Sequence, residues 1–374
     1  MTMKIGIDAR MYGAGFTGIG RYTAELIEHL ARLDDRNEYV LFMRKEAFDA
    51  FECPNDSFRK VLADFSHYSM GEQWGFYRVL EAEKLDFMHF THFNAPLLYK
   101  RPFVVTIHDL TLSFFPGKKM NRWYHRMAYH KVIKRVTSQA KHIIAVSENT
   151  KKDLINTLKV SEAKISVIHN GISPQFGGIK ATSKETLMKT HGFSKPFFLY
   201  TGVWRDHKNV VGLIKAFSAF NASQNHAYEL VITGKPNATY QEVPDVISEL
   251  GVGEWVHLVG LVSEEDLYGL YQHALAYTFP SFYEGFGLPP LEAMQCGTPV
   301  LASNTSAIPE VCGEGNALFF DPYDVEDMQA KMKHIATDAV LRKTLIERGG
   351  ERVKAFSWEK MTKAVLEVYS EFSA

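Results

Sequence analysis

Residues 277–300 read YTFPSFYEGFGLPPLEAMQCGTPV, and the rest of the chain can be interpreted around this stretch. It contains Glu284 and Glu292, which are separated by two glycines and two adjacent prolines. Because glycine and proline both disrupt a helix, the spacing predicts a strand that ends near Pro280, then a glycine loop, then a helix that begins at the prolines. Glu284 is expected in the loop and Glu292 in the first turn of the helix.

Such a loop favours a particular kind of ligand. Backbone N–H groups beside a helix N-terminus attract anions such as phosphate. The two carboxylates can accept hydrogen bonds from sugar hydroxyl groups. Phosphate and sugar together indicate a nucleotide sugar.

The composition excludes several classes of protein. The 374 residues exceed one typical domain and fit two. A hydrophobic content of 46%, a charged content of 23% and a net charge of −1 are typical of a soluble globular protein and do not indicate nucleic-acid binding. Three cysteines without a C-x-x-C pair disfavour a disulfide scaffold or a zinc site and suit a reducing cytoplasm. No apolar run reaches about 18 residues and no signal peptide is recognised, so a cytoplasmic protein without a membrane span is expected.

The N-terminus has the pattern of a doubly wound domain. A strand at Lys4–Asp8 is followed by a glycine-rich turn and a helix predicted from about Arg21 to Leu33. The glycines of the turn are Gly13, Gly15, Gly18 and Gly20. Glycine allows the backbone to approach a ligand closely, although a loop without a ligand remains an alternative. The spacing is not G-x-G-x-x-G and no acidic residue follows a second strand, so a nicotinamide dinucleotide is disfavoured.

Apolar runs alternate with helical or polar stretches in both halves of the chain, which predicts parallel sheets with helices on both faces. The predicted strands of the first half are Lys4–Asp8, Tyr39–Met43, Phe87–Phe90, Phe103–Ile107, His142–Val146 and Ile165–Ile168. Those of the second half are Phe197–Thr201, Glu229–Thr233, Val256–Val259, Leu275–Phe279, Pro299–Ala302 and Ala317–Phe320. The fold class is therefore α/β, with two doubly wound, Rossmann-like domains and a cleft between them as the expected ligand site.

Charged residues follow two of these strands. His108 and Asp109 come after Phe103–Ile107, where they either contact a substrate or only fix the loop. Arg205 and Lys208 follow the first strand of the second half, just before a helix that Asn209 is expected to cap. Cations there suit a leaving nucleoside diphosphate, and a solvated basic turn is the alternative.

A basic and aromatic segment spans Lys118 to Arg135 and includes Trp123, Tyr124 and Tyr129. Such a helix can lie on an anionic membrane surface or receive an anionic acceptor. The alternative is a solvated helix face whose apolar residues belong to the core.

The chain resembles the family 4 glycosyltransferases of the GT-B fold over nearly its whole length, most closely bacterial mannosyltransferases of surface polysaccharide synthesis. The signature E-x7-E is present as Glu284-GFGLPPL-Glu292, with TGVWRDHKN before it and ASNTSAIPEV after it. The N-terminal IDARMYGAGFTGIGRY and the segments VTIHDL, AVSENTKKDL and VIHNGI are also similar to this family.

The resemblance implies a role for each candidate residue. It implies that Arg205 and Lys208 hold the donor diphosphate, that Glu292 binds the ribose hydroxyls, and that Glu284 lies near the donor sugar. The backbone of Phe286, Gly287 and Leu288 is expected to contact sugar or phosphate, Gly18 and Gly20 to let the N-terminal loop approach the diphosphate, and His108 to face the reacting sugar. The family retains anomeric configuration and needs no metal, so no cofactor is expected.

The resulting division of the chain has four parts. Residues 1–172 are expected to bind the acceptor, 173–185 to form a linker, and 186–355 to bind the nucleotide sugar. Residues 356–374 are expected to form a helix that packs back on the N-terminal domain.

The predicted reaction is transfer of a hexose, with mannose from GDP-mannose favoured, to a hydroxyl of a saccharide or lipid-linked acceptor. A nucleotide-sugar epimerase on the same fold and a non-catalytic subunit that binds sugar nucleotides are the alternatives. A nicotinamide-dependent oxidoreductase is the least favoured interpretation.

Overall fold

The computed structural model describes residues 2–13, 17–67, 69–118, 123–173, 179–235 and 240–372. The chain forms two compact units. The first comprises Met1–Ser113, Lys119–Gly171 and Ser357–Ala374, and the second comprises Phe114–Lys118 and Ile172–Phe356.

The first unit contains a seven-stranded parallel sheet with the order β3-β2-β1-β4-β5-β6-β7. Its strands are β1 (Lys4–Asp8), β2 (Glu38–Met43), β3 (Phe58–Leu62), β4 (Phe87–Phe90), β5 (Phe103–Ile107), β6 (His142–Ala145) and β7 (Ile165–Val167). Its helices are α1 (Thr17–Leu33), α2 (Lys45–Ala50), α3 (Tyr77–Ala82), α4 (Thr111–Phe114, which ends at the boundary), α5 (Trp123–Gln139) and α6 (Glu148–Leu158), joined by α15 (Trp358–Ser370) from the end of the chain.

The second unit contains a six-stranded parallel sheet with the order β10-β9-β8-β11-β12-β13. Its strands are β8 (Phe197–Thr201), β9 (Glu229–Thr233), β10 (Val256–Gly260), β11 (Ala276–Phe279), β12 (Val300–Ser303) and β13 (Leu318–Phe320). Its helices are α7 (Lys184–His191), α8 (Val210–Ser223), α9 (Glu242–Glu249), α10 (Glu264–His273), α11 (Leu288–Gln295), α12 (Ile308–Cys312), α13 (Val325–Thr337) and α14 (Ala339–Val353).

The two sheets share one topology. In each, the first strand lies in the middle, the next two strands extend to one side, and the following strands extend to the other. The order reverses between β1 and β4 in the first unit and between β8 and β11 in the second. Ligands of doubly wound sheets bind at such a switch point, outside the carboxyl ends of the strands. The predicted α/β fold with two Rossmann-like domains is confirmed.

The sequence pattern located most of the strands correctly. All twelve predicted strands are present, with ends that differ by at most one residue. The prediction missed β3, which reads FRKVL and, among the strands that the structure describes, pairs with β2 alone at the edge of its sheet. An edge strand is covered on fewer sides than a central one, so it does not need the continuous apolar run by which the others were recognised.

The predicted start of the first helix was wrong. Helix α1 begins at Thr17, so Gly18 and Gly20 lie in its first turns and not in the loop before it. Gly13 has a φ of 107°, which suits a tight turn after β1. Gly15 lies outside the described residues.

Helix α15 closes the core of the first unit. Its apolar face includes Met361, Val365 and Tyr369, which pack with α1 and β1. A Cβ atom on Gly171 would lie 2.1 Å from the backbone nitrogen of Trp358, so the chain passes the start of this helix at very close range. Within the residues described, no helix is long and apolar enough to cross a bilayer.

Candidate functional site

Two glycine turns end the central strands of the second sheet. Gly202 follows β8 and Gly234 follows β9, with φ values of 148° and 130°. A Cβ atom on Gly234 would lie 2.2 Å from the carbonyl oxygen of Gly202. These positions therefore require glycine. The backbones of the two turns lie in close contact at the carboxyl edge of the sheet, with no side chain between them.

The basic turn after β8 forms a single 3₁₀ turn, Asp206–Lys208, and α8 begins two residues later. Asn209 occupies the N-cap position of α8 with a φ of 52°, but its side chain makes no capping bond. The predicted Asn209 cap is wrong, because its side-chain amide donates to the carbonyl oxygen of Pro322 at 2.9 Å instead. This bond ties the turn to the segment after β13.

Lys208 and Glu284 form an ion pair. The Lys208 Nζ atom lies 2.6 Å from Glu284 Oε1, and the two side chains are only 21% and 12% exposed. The ammonium group also lies 5.6 Å from the centre of the Phe279 ring at the end of β11. The structure thus brings together two predicted site residues that are far apart in the sequence, at the switch point of the sheet.

The loop between β11 and α11 has the predicted form. Glu284 lies in this loop, and its backbone N–H donates to Ser306 Oγ at 2.9 Å. Gly287 precedes α11 with a φ of 101°, and prolines occupy the first turn of the helix. A Cβ atom on Gly287 would lie 3.3 Å from the Phe279 ring, so glycine suits both the backbone angle and the space.

Glu292 is the fifth residue of α11 and so lies at the start of the second turn, where the prediction placed it in the first, because the helix begins at Leu288, one residue before the prolines. Its side chain is buried, and its Oε2 atom accepts a hydrogen bond of 3.3 Å from the hydroxyl of Tyr271. A buried carboxylate needs such partners, since an unpaired charge is costly away from water.

The backbone predicted to contact sugar or phosphate surrounds the start of α11. Phe286 and Gly287 directly precede the helix and Leu288 is its first residue. Pro289 and Pro290 have no N–H, so the N–H groups without an acceptor inside the helix are those of Gly287 and Leu288, and the helix dipole adds a partial positive charge. Anions are therefore favoured at this point.

Arg205 lies apart from this group. It is exposed and lines a cavity of about 260 Å³ together with Trp204, Tyr240 and Phe282. The backbone N–H of Lys208 donates to the carbonyl oxygen of Arg205 at 2.9 Å, but among the described residues no ion pair or side-chain hydrogen bond joins Arg205 to Lys208 or Glu284. The structure therefore places Arg205 at this cavity and Lys208 beside Glu284.

In the first unit, His108 follows β5. Its Nε2 atom lies 2.8 Å from the carbonyl oxygen of Thr91, and a carbonyl only accepts, so the ring proton is on Nε2 and Nδ1 is an acceptor. Burial lowers the pKa of His108, and the bond to Thr91 and the charge of Asp109 oppose this only in part. Asp109 accepts from the backbone N–H of Thr111 at 2.7 Å and so fixes the loop.

Gly18 and Gly20 lie in the first turns of α1, which follows the carboxyl end of β1. Gly18 is exposed, and a Cβ atom placed on it meets nothing within 4 Å. Gly20 is buried.

The basic segment 118–135 divides at the boundary between the units. Lys118 belongs to the second unit and pairs with Glu242, whereas α5 belongs to the first. Residues 119–122 lie outside the described part of the chain. At the start of α5, Trp123, Tyr124 and Met127 are exposed, and Tyr129 is buried in the core.

The sequence interpretation missed three residues around this site, namely Ser306, Tyr271 and Phe279. Ser306 lies in ASNTSAIPEV, which the family resemblance had already singled out. Tyr271 and Phe279 carry no local signal, because an apolar helix or strand pattern predicts burial and does not predict a polar contact.

Comparison with known proteins shows the family of the chain. Residues 16–176 match the family described as Glycosyltransferase Family 4, and residues 183–352 match Glycosyl transferases group 1. The chain is 30% identical to O-antigen chain mannosyltransferase B of Escherichia coli over 94% of its own length and 96% of the relative. It is 31% identical to O-antigen chain mannosyltransferase RfbU of Salmonella typhimurium over 67% of its length and 66% of the relative.

Solved structures show the same fold. Sucrose-phosphate synthase from Thermosynechococcus elongatus superimposes with a TM-score of 0.78 at 20% identity, covering 99% of this chain and 98% of that one. Common membership of one enzyme family explains the family matches, the long alignment to a bacterial mannosyltransferase and the shared topology. The chain belongs to the family 4 glycosyltransferases of the GT-B fold and is an enzyme of that class, related to bacterial mannosyltransferases.

Proposed function

We propose that this glycosyltransferase moves a mannosyl group from GDP-mannose to a hydroxyl of a saccharide or lipid-linked acceptor, with retention of anomeric configuration. The observation that supports a nucleotide-sugar donor is the Lys208–Glu284 pair at the switch point of the second sheet, beside the N-terminus of α11. The choice of mannose follows the alignment to O-antigen mannosyltransferase B over nearly the whole chain.

Lys208 would act on the leaving group. When the bond between the anomeric carbon and the phosphate oxygen breaks, the electron pair moves to the diphosphate and positive charge develops on the sugar. A lysine ammonium and helix N–H groups stabilise the new negative charge more in the transition state than in the ground state. Under this proposal the acceptor oxygen bonds to the anomeric carbon on the same face, and its proton goes to the departing phosphate.

Glu284 would accept hydrogen bonds from the donor sugar while it stays paired with Lys208. The carboxylate that pairs with Lys208 has further lone pairs, and these can accept hydrogen bonds from sugar hydroxyl groups. Glu284 as a nucleophile is the competing assignment. Mass spectrometry of the enzyme incubated with donor alone tests it, because a covalent sugar adduct on Glu284 would contradict the same-face mechanism.

The other candidate residues take proposed roles on the two units. The second unit would hold the donor, with Glu292 on the ribose hydroxyls and the backbone of Phe286, Gly287 and Leu288 on sugar or phosphate. The first unit would hold the acceptor, with 173–185 as the linker. Gly18 and Gly20 would let α1 approach the diphosphate, and His108 would accept a hydroxyl hydrogen bond through Nδ1.

Arg205 as a diphosphate ligand remains a proposal of lower priority than Lys208, because it lines a separate cavity. Steady-state kinetics of Arg205→Ala and Lys208→Ala, measured side by side, show which of the two side chains contributes more to catalysis. The expected result is a much smaller loss of kcat/KM for Arg205→Ala.

We also propose peripheral contact with the inner face of the membrane through segment 118–135. Trp123 and Met127 are 70% and 60% exposed beside lysines and arginines of the same helix. Aromatic and basic side chains together suit an anionic lipid surface. Co-sedimentation with vesicles of anionic lipid at low salt should retain the wild type and lose Trp123→Ser/Met127→Ser. Val340→Ser removes a similarly exposed apolar group from the second unit and should not change retention.

A two-part experiment tests the whole proposal. A thermal-shift screen against GDP-, UDP- and ADP-sugars should single out GDP-mannose, since a ligand at 100 times its Kd stabilises by about 2.7 kcal/mol. Transfer from that donor to a panel of saccharide and lipid-linked acceptors, followed by NMR of the new linkage, then reads activity and stereochemistry. Conversion of the sugar without an acceptor would favour an epimerase, and binding without turnover on any acceptor would favour a non-catalytic subunit.

A further inference from the structure

A chain of buried hydroxyl groups ends on Glu292. The Tyr271 hydroxyl lies 3.3 Å from Glu292 Oε2, and Thr201 Oγ1 lies 3.0 Å from the Tyr271 hydroxyl. The Tyr277 hydroxyl lies 3.1 Å from Thr201 Oγ1. These side chains come from α10, β8 and β11, so three elements of the second unit converge behind one carboxylate on α11.

The direction of these hydrogen bonds follows from counting protons. A carboxylate only accepts, so Tyr271 donates its single proton to Glu292. The Tyr271 oxygen then accepts from Thr201 Oγ1, which in turn accepts from the Tyr277 hydroxyl at 3.1 Å, and a longer contact of 3.5 Å joins that hydroxyl to the Thr201 carbonyl oxygen. Every donor in the chain points towards Glu292, and such aligned bonds polarise one another in a buried setting.

The tyrosine stays a donor over the whole working pH range. Burial, followed by the nearby charge of Glu292, raises the pKa of Tyr271 well above its usual value. Its hydroxyl is therefore protonated whenever the enzyme is folded at ordinary pH.

A glutamate side chain has freely rotating bonds, and holding it in one rotamer costs conformational entropy. A hydrogen bond from a fully buried tyrosine fixes one carboxylate oxygen before any ligand arrives. The carboxylate then holds one orientation in advance, as recognition of a diol requires. Orientation by a supporting hydrogen bond is the usual way in which proteins make a binding carboxylate precise.

We propose that Tyr271 is a positioning residue that orients Glu292 for recognition of the donor ribose, with Thr201 and Tyr277 polarising its hydroxyl. This inference rests on the proposed role of Glu292 as the ribose ligand. Tyr271 itself is not placed in contact with the substrate.

The competing interpretation is that Tyr271 only fills space. Its ring packs 5.4 Å from that of Tyr277, and Tyr271→Phe keeps this packing while removing one oxygen. A purely structural role predicts equal effects on every nucleotide. A positioning role predicts an effect only on nucleotides that carry ribose hydroxyls.

The test measures binding of GDP, UDP and ADP by calorimetry, each beside its 2′,3′-dideoxy analogue, to the wild type, Tyr271→Phe and Tyr277→Phe. The wild type should bind the nucleotide of its donor more tightly than the 2′,3′-dideoxy analogue of that nucleotide. In Tyr271→Phe the affinity for that form should fall about tenfold, as expected for a lost hydrogen bond to a charged group, while the dideoxy analogue binds as before. Tyr277→Phe, which keeps the bond to Glu292, should lose less than about threefold.

Steady-state kinetics give a second readout. Tyr271→Phe should raise the KM for the donor and leave kcat nearly unchanged, because the interaction is made equally in the ground and transition states. A fall in kcat at constant KM would overturn the positioning role.

The outcomes separate this inference from the proposed role of Glu292. If the wild type binds all dideoxy analogues as well as the parent nucleotides, Glu292 does not read the ribose and both ideas fail. If the wild type discriminates and Tyr271→Phe discriminates equally well, only the role of Tyr271 fails. If Tyr271→Phe does not fold, Thr201→Val replaces it, and unchanged ribose discrimination in that variant would contradict the polarised chain.

Discussion

Loss of the Lys208 ammonium should affect stability and catalysis by different routes. At 2.6 Å, the gross attraction between Lys208 and Glu284 is about 6 kcal/mol for an effective dielectric constant of about 20. Desolvation of both groups opposes most of it, and the side chains are mostly but not fully buried. We therefore expect Lys208→Met to lower the free energy of unfolding by about 1–3 kcal/mol, because it leaves the Glu284 carboxylate without its cation.

The catalytic loss should be larger. Removal of one electrostatic donor to a developing anion typically costs a factor of about 10²–10³ in rate. Lys208→Met should therefore lower kcat/KM by about that factor, measured as transfer of labelled sugar under steady-state conditions.

The double variant Lys208→Met/Glu284→Gln separates the two effects. Replacing both charges removes the uncompensated carboxylate, so urea denaturation should show part of the lost stability restored. Activity should stay low, since the diphosphate still lacks its cation. Lys343→Met removes a highly exposed lysine 3.9 Å from Glu347 and should change stability by less than about 0.5 kcal/mol, with normal turnover.

Two results would refute this reasoning. Near-normal turnover in Lys208→Met would remove Lys208 from the diphosphate site. Recovery of activity in the double variant would show that Lys208 matters only as the structural partner of Glu284.

Three further predictions concern stability and the reaction conditions. Gly171→Ala should destabilise the protein by about 1–3 kcal/mol, because the added Cβ atom would meet the Trp358 backbone. Gly350→Ala, inside α14, should stabilise it by up to about 1 kcal/mol, because a Cβ atom there meets nothing within 4 Å. Equal urea midpoints for the two variants would contradict this. His89 is buried between Tyr369 and Thr106, and burial lowers its pKa to about 3, so the stability it contributes is present above about pH 6.5 and is lost as pH falls. At pH 5.5 that loss is about 1.4 kcal/mol for one histidine, and His89→Gln should reduce the difference in unfolding free energy between pH 7.5 and 5.5 by this amount; an unchanged difference would contradict the assignment. Transfer should persist in excess EDTA if no metal is needed, and complete loss that Mg²⁺ reverses would overturn that proposal.

Local patterns were sufficient for the framework of both units. The twelve predicted strands were recognisable because central strands of a parallel sheet are buried on both faces and show as apolar runs. The loop and helix after β11 were recognisable because glycine and proline act on their own backbone. The limits of this approach appear at β3, an edge strand with charged residues, and at Thr17, where α1 starts before the glycines end.

The family resemblance reached further than the patterns, because it implied a donor site for Glu284, Glu292, Arg205 and Lys208 before any contact was known. It could not assign the partner of each side chain. Asn209 was expected to cap α8, but its side-chain amide donates a hydrogen bond to the carbonyl oxygen of Pro322, 113 residues away. Arg205 and Lys208 are three residues apart, yet a single 3₁₀ turn between them directs one to a separate cavity and the other to Glu284.

The sequence by itself determined the two doubly wound domains, the glycine loop and the helix that carries Glu292, since these depend on local backbone preferences and on periodic burial. Only the tertiary structure decided that Lys208 pairs with Glu284 across 76 residues and that Tyr271 donates to Glu292. The physical reason is that a polar contact depends on which strands become neighbours. In the second unit, β8 and β11 meet at the switch point, and that adjacency brings the Lys208 turn and the Glu284 loop together.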